Sequence, residues 1–492
     1  MEQLLDKNQQ VQLSILHHLV LSGGRLSANA LAEAIHLSKS SLDQYIQELS
    51  YLGKELNMGF SLTKEGATLV LVLERRTTLE GITATLVRDS FKFQLLEYML
   101  LHRTFTIPQI TQEFSTSESS VFRKFRELNE VLAEFHIRIK NGRLQGEELQ
   151  IRYFYFQIYS YFPVRMRPRF LVASDQNQLF FRGLERALET EFSAEAKSEI
   201  ACWLGVSLKR MSAKKTQQTR LKTTYRLFQK DALFQRIEPL IRLYNSRSSF
   251  ELNQYEPMMF YSFLVSFAIL DEETFYRYEL QRSKKLLPAL LDMYIREMIL
   301  VHYRPRRLSI QQEKAVGYQL SQINNRIYFF QGYLPRYEPE RLLARQREKL
   351  GIERSRLLDM LQETARNFLE PAKAQDTLLT QALLIDYASI LSMIDFYIAK
   401  EVIVGIDLEA LPVYRISYYH YLFSELRPIP GIQVEQLREG TTYDLIVSTR
   451  DGEDASEAIH YCLSEFESAY DLDQIKQLIE QLKKRKIDGA VP

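Results

Sequence analysis

Two clusters of small polar and basic residues carry the chain's most evident chemistry: Lys39, Ser40, Ser41, Gln44 and Gln47, then Ser119, Ser120, Arg123, Lys124 and Arg126. Hydroxyls, carboxamides and cations spaced one helical turn apart are groups that hydrogen-bond phosphate oxygens and base edges. Lys140 and Arg143 bracket Asn141-Gly142, which places two more cations at the tip of a two-residue turn. Covalent and metal chemistry have less material. Cys202 and Cys462 are the only cysteines, too few for a disulfide framework or a Cys-based zinc cluster. The eight histidines are His17, His18, His36, His102, His136, His302, His420 and His460, with no His/Glu zinc spacing among them. There is no phosphate-binding Gly-rich loop and no nucleophile elbow. Neither an enzyme nor a metal or cofactor site is expected.

The elements that must position these residues follow from apolar spacing. Gln9–Leu21 reads as an apolar helix closed by Gly23-Gly24. Ser27 caps a short helix over Ala28–Ile35, His36-Leu37 makes a turn, and Ser38 caps a third helix to about Leu49. Leu42, Tyr45, Ile46 and Leu49 share its inner face, leaving Lys39, Ser40, Ser41, Gln44 and Gln47 outside. A hairpin follows, with Gly59–Leu62 and Ala67–Leu73 as its strands. Short helix, tight turn, longer helix and hairpin is the order of a winged helix-turn-helix, in which the second helix enters the major groove. A plain three-helix structural bundle is the alternative.

The same grammar repeats. Phe91–Leu101 is a helix, Thr106 caps a short one beginning Ile107-Pro108, and Phe114–Thr116 turns into a long helix that Ser117 caps and that runs to about Phe135. Val121, Phe125, Leu128 and Leu132 point inward. Ser120, Arg123, Lys124 and Glu127 are expected on the outer face, with Ser119 beside them and Arg126 at the edge. His136–Lys140 and Arg143–Gln145 form strands joined by a type I′ turn. Glu148–Tyr161 is an aromatic-rich helix expected to pack on the next domain. A solvated charged face is the alternative for the long helix, and two tandem copies of the pattern weigh against it.

The tandem modules, the segment IKNGRLQGEELQIRYFYFQIYSYF (139–162) and the total length resemble the Mga/RofA-like family of virulence transcription regulators. The likeness is specific across roughly residues 87–165. It implies a mainly α, multidomain chain. Residues 1–75 and 76–165 would be winged helix-turn-helix DNA-binding domains. Residues 166–285 and 286–399 would be helical bundles like phosphotransferase-system regulation domains (PRD-like). Residues 400–492 would be a small α/β domain like a sugar-transport enzyme IIB (EIIB-like). It further implies double-stranded DNA as ligand, a homodimer or higher oligomer through the C-terminal domain, and a transcription activator with RNA polymerase as a candidate partner.

Composition fits that outline. At about 100–200 residues per domain, 492 residues make several domains, and 46% hydrophobic with 25% charged residues is ordinary globular composition. Apolar runs fall short of a membrane helix and no signal peptide opens the chain, so a cytoplasmic protein is expected. Residues 1–170 hold 20 basic and 18 acidic side chains, 171–400 hold 34 and 27, and 401–492 hold 9 and 17. The acidic C-terminal module would repel phosphate backbones.

Between about 170 and 398 the pattern is a train of helices. The family resemblance implies phosphate acceptance on histidine there, yet His302 is the one histidine of this region. Arg304, Arg306 and Arg307 would steady a phosphoryl group on it, a plain surface histidine at a helix end being the simpler reading. The first bundle has no histidine to modify. Lys209, Arg210, Lys214, Lys215, Arg220 and Lys222 form a basic run, read as a solvated loop or an auxiliary contact. In the last module strands alternate with helices, as in a largely parallel sheet. GIDLEALPVYR (405–415), where the resemblance would place a phosphate-accepting cysteine, has none, and Cys462 is expected to be buried. A DNA-binding transcription regulator leads these readings. The alternatives are a phosphorylation-responsive antiterminator with such regulation domains and a phosphocarrier-like protein.

Overall fold

The computed structural model describes residues 1–55, 58–102, 104–172, 174–211, 219–246, 253–303, 308–336, 338–368, 377–398, 402–408, 412–429, 431–438, 441–449, 458–465 and 467–488. The chain is mainly helical and forms two compact units, Met1–Arg296 with Gly317–Ala388, and Glu297–Val316 with Ser389–Pro492.

The first unit opens with α1 (Lys7–Leu21), β1 (Arg25–Ser27), α2 (Ala28–Ala34), α3 (Lys39–Glu55), β2 (Phe60–Glu65) and β3 (Thr68–Leu73). The Gln9 carboxamide accepts the Asp6 N–H at 3.1 Å and so closes the start of α1. Gly23 and Gly24, at φ 72° and 83°, turn the chain out of α1 in a conformation that a side chain would strain. The three strands pair antiparallel in the order β1-β3-β2. β1 is an addition to the sequence expectation, since three residues are too few to show an alternating pattern.

Next come α4 (Leu79–Asp89), α5 (Phe91–Leu101), α6 (Ile107–Glu113), α7 (Glu118–Ala133), β4 (Arg138–Lys140), β5 (Arg143–Gln145) and α8 (Glu148–Tyr161). Ser90 ends α4 and caps α5 by accepting the Phe93 N–H at 3.2 Å, whereas the sequence reading passed over α4. α8 is buried along almost its whole length and carries Tyr153, Phe154, Tyr155, Phe156 and Tyr159 into the core. There Phe156 meets Trp203 and Phe263 edge-on, and Trp203 stacks on Phe263 at 4.7 Å.

The helices that continue the chain are α9 (Asp175–Leu188), α10 (Ala194–Arg210), α11 (Thr219–Phe228), α12 (Ala232–Ser246), α13 (Glu256–Leu264), α14 (Glu272–Gln281), α15 (Leu287–His302), α16 (Ile310–Phe329), α17 (Pro339–Phe368, broken at Gly351) and α18 (Thr377–Ile398). One correction concerns membrane propensity. The stretch Leu378–Tyr397 within α18 is long and apolar enough to cross a membrane by length and composition alone, although half of it is buried inside the protein.

The second unit carries β6 (Val402–Asp407), α19 (Pro412–Leu426), β7 (Ile432–Gln436), β8 (Leu445–Ser448), β9 (Ile459–Cys462) and α20 (Ala469–Asp488). Its four strands are all parallel, in the order β7-β6-β8-β9, as the strand-helix alternation leads one to expect. Val404, Ile406 and Val447 pack with Leu422, Ile475 and Ile479 from the two helices. Cys462 is exposed, against expectation, because it ends the edge strand β9.

Candidate nucleic-acid interface

α3 begins at a serine cage. The Ser38 Oγ accepts the Ser41 N–H at 3.2 Å and lies 3.1 Å from Ser40 Oγ and 2.9 Å from Ser41 Oγ. Lys39, Ser40, Gln44 and Gln47 are exposed and Ser41 is half-buried, while Leu42, Ile46 and Leu49 face the core, as the spacing predicts. Gln44 donates to Glu48 at 3.1 Å, and Asp43 pairs with Lys64 of the hairpin at 2.7 Å.

α7 repeats that start. The Ser117 Oγ accepts the Ser120 N–H at 3.3 Å and lies 3.0 Å from Ser119 Oγ. Ser119, Arg123 and Arg126 are exposed and Ser120 is half-buried, over an inner face of Val121, Phe125, Leu128 and Leu132. Neither arginine makes an ion pair among the described residues.

The outer face differs from the expected one by a rotation. Lys124 turns inward, with 12% of its side chain exposed, and pairs with Asp6 at 2.8 Å and Glu127 at 3.0 Å. Lys92 also reaches Glu127, at 3.2 Å. Lys124 lies one helical turn after Val121 and one before Leu128, both buried, so it borders the inner face. Burial disfavours the Lys124 ammonium, but the hydrogen bonds and charges of Asp6 and Glu127 outweigh it and hold its pKa above the ordinary value. Burial likewise opposes the Glu127 carboxylate, and Lys124 and Lys92 outweigh it in the other direction. Phe122, absent from either expected face, extends the exposed face at the edge away from Lys124, with 54% exposure. The exposed stripe is Ser119, Phe122, Arg123 and Arg126.

Across α2–α3 and α6–α7 the two modules correspond residue by residue at one constant offset. His36 and Ser115, at φ 54° and 46°, turn the chain between the paired helices. Leu37 N–H then bonds the Ala32 carbonyl at 2.9 Å, as Thr116 N–H bonds that of Thr111 at 3.1 Å. Ser38 matches Ser117, Gln44 matches Arg123, and Gln47 matches Arg126. The offset also reveals two residues that the sequence reading missed. Ser50 Oγ donates to the Leu62 carbonyl at 2.9 Å. Its counterpart Asn129 donates to the Ile139 carbonyl at 3.2 Å and accepts the Ile139 N–H at 2.6 Å. Each long helix thereby holds its own hairpin. A polar residue late on an apolar-faced helix was the available signal.

In the second hairpin Asn141 and Gly142 have φ 52° and 64°, as a type I′ turn requires, and the flanking Lys140 and Arg143 are exposed. The Gly142 carbonyl accepts the Phe105 N–H at 3.3 Å. The first hairpin instead has an acid at its tip, Glu65, 3.6 Å from Arg25.

The remaining candidates lie apart from these surfaces. His302 is exposed at the end of α15, with its ring edge-on to Tyr303, and Arg304, Arg306 and Arg307 lie outside the described residues. The basic run is not one solvated loop. Arg210 is buried against Glu148 at 2.9 Å, Arg220 donates to the Tyr328 carbonyl at 2.7 Å, and Lys209 sits over the Phe170 ring, while Lys214 and Lys215 lie outside the described residues. A buried acid is what recruits Arg210 from the surface. Among the described residues no group of His, Cys, Asp or Glu is arranged to hold a metal ion. Asp407 is exposed at the end of β6, and Glu409 lies outside the described residues.

Residues 75–159 match the family model of the Mga helix-turn-helix domain, a span that runs from just before α4 into α8. No curated protein matches the chain. The match supports a DNA-binding transcription regulator.

Proposed function

Because the chain belongs to the Mga-like family through its helix-turn-helix domain at residues 75–159, we propose that it is a promoter-binding transcription activator with two reading heads, α3 and α7. Both heads would be winged helix-turn-helix units occupying successive major grooves, the second with Lys140 and Arg143 of its wing on the flanking phosphates. The observation that carries this reading is the exposed stripe of α7, where Ser119, Arg123 and Arg126 follow a capped helix start and neither Arg123 nor Arg126 makes an ion pair among the described residues. The helix N-terminus adds a positive field for phosphate. α3 offers carboxamides, Gln44 and Gln47, at the matching positions, which suits base edges better than phosphates.

The helical middle would act as regulation domains, at residues 166–285 and 286–399, and the C-terminal sheet as the oligomerisation module of a cytoplasmic homodimer. What supports the last point is α19. Its core side is Tyr418, Leu422 and Leu426, with Tyr419 half-buried against the same core, which leaves Ile416 at 58% exposure, His420 exposed and Phe423 half-buried. An apolar stripe at helical spacing on an acidic module fits a protein partner rather than DNA.

The test is a binding titration against ionic strength with the full chain and with Arg123→Ala/Arg126→Ala. Each lost phosphate contact lowers the slope of log affinity on log salt by about 0.9. The double variant should lose nearly two units of slope, and an unchanged slope would remove α7 from the interface.

A further inference from the structure

Phe122 adds an apolar ring to one edge of the exposed stripe that Ser119, Arg123 and Arg126 form on α7. Phe122 lies on α7 one helical turn after Ser119 and one before Arg126, beside Arg123, and its ring is 54% exposed. It is no part of the α7 core face, whose buried residues are Val121, Phe125, Leu128, Val131 and Leu132.

The corresponding position in the first module is Asp43, and Lys64 of that module's own hairpin holds it at 2.7 Å. α3 therefore presents a neutralised ion pair where α7 presents an apolar ring. The two heads therefore differ in kind at this exposed position as well as at the Gln44/Arg123 and Gln47/Arg126 pairs.

Duplex DNA exposes one apolar group in its major groove, the C5 methyl of thymine. We propose that Phe122 reads thymine, covering C5 methyl groups with its ring and so setting the sequence preference of α7, while Arg123 and Arg126 supply affinity without it. The proposal rests on the DNA-binding role of α7 argued above. The proposal assigns Arg123 and Arg126 to phosphates, which any sequence presents, and the hydrocarbon ring to the base that carries a methyl.

The experiment takes a duplex recovered by the full chain from a random-sequence pool and prepares it twice, once with thymine and once with deoxyuridine, which lacks the methyl. The wild-type chain should bind the deoxyuridine duplex about fourfold more weakly for each methyl covered. Phe122→Ala should bind the thymine duplex as weakly as that, should not distinguish the two duplexes, and should keep the wild-type salt slope. Phe122→Leu, which stays apolar, should retain part of the discrimination.

A wild-type chain that binds both duplexes equally overturns the proposal, and so does a Phe122→Ala chain that keeps the wild-type ratio. Were Phe122 a protein contact instead, Phe122→Ala would change the sedimentation of the free chain and leave the thymine ratio intact, which also overturns it. Failure of the underlying reading looks different. In that case no duplex is recovered, or binding shows no salt dependence, and both claims fall together.

Discussion

The Lys124 ammonium lies 2.8 Å from the Asp6 carboxylate, so the residue that opens α1 is tied to the middle of α7. The other Asp6 oxygen accepts the N–H of Phe91 at 3.1 Å, and Lys92 donates to the carbonyls of Gln3 and Leu5 at 3.1 Å. The stretch before α1 is thus clamped onto the second module. Lys124 holds the position of α7, while Arg123, next in sequence, projects from it.

That separation of neighbours predicts two different phenotypes. Lys124→Ala should lower chain stability by about 1 kcal/mol, since it leaves Asp6 and Glu127 without their shared cation in a partly exposed site. Its salt slope in DNA binding should stay at the wild-type value. Arg123→Ala should leave the unfolding midpoint unchanged and take about one unit off the salt slope. The clamp assignment fails if Lys124→Ala melts like the wild type.

The same cluster sets a pH dependence. Glu127 is held below the usual carboxylate range: burial opposes this, and Lys124 and Lys92 outweigh it. Its contribution to stability is therefore complete above the unfolded-state pKa, near 4.5, and is lost as pH falls through the lower folded value. Lys124 is held high by Asp6 and Glu127 against burial, so its contribution is present below about 10.5 and disappears as pH rises through the folded value. Thermal unfolding from pH 7 down to pH 3 should show a smaller fall for Glu127→Gln than for the wild type. Parallel curves for the two proteins would count against the assignment.

Gly142 offers a local test of the second wing. Its φ is 64°, and a Cβ built on it would sit 2.2 Å from the Phe105 carbonyl oxygen. Gly142→Ala therefore meets backbone strain and a clash with main chain that no side-chain rotation relieves. We expect a loss of more than about 1 kcal/mol in stability and weaker DNA binding as Lys140 and Arg143 shift. Gly66, at the tip of the first hairpin, has φ 63° with open space around it, so Gly66→Ala should cost less. Equal losses in a denaturant titration would mean that the Phe105 contact is immaterial.

These tests also mark how far the sequence carried the reading. The caps Ser38 and Ser117, the inner faces of α3 and α7, the Asn141-Gly142 turn and the parallel C-terminal sheet depend on local spacing and turn chemistry, and were legible. Lys124 was not, because its partner Asp6 lies in another module and local periodicity places a lysine outside by default. Phe122 was passed over because it falls at the border between the two faces of α7, where periodicity assigns an apolar residue to neither. Arg210 was taken for surface because nothing near it in sequence shows the acid it meets.

That acid, Glu148, gives the last prediction. It is buried in the first turn of α8, directly after the second hairpin, and accepts from Arg152 at 3.0 Å and from Arg210 at 2.9 Å. Arg152 in turn makes a two-pronged pair with Glu256, at 2.6 and 2.7 Å. The quartet is neutral as a whole, and burial, which alone would raise the Glu148 pKa, is outweighed by Arg210 and Arg152, so the carboxylate stays ionised. Glu148→Ala would strand Arg210 without a counter-charge in the core and should cost about 3–5 kcal/mol. Glu148→Leu combined with Arg210→Met removes the charges together and should cost clearly less than the sum of the single losses, because no buried charge is left unmatched. Urea unfolding of Glu148→Leu, Arg210→Met and the double variant measures that coupling. Additive losses would mean that Arg210 finds solvent or another acid when Glu148 is gone, and that the hairpin end of α8 is anchored by its aromatic residues alone.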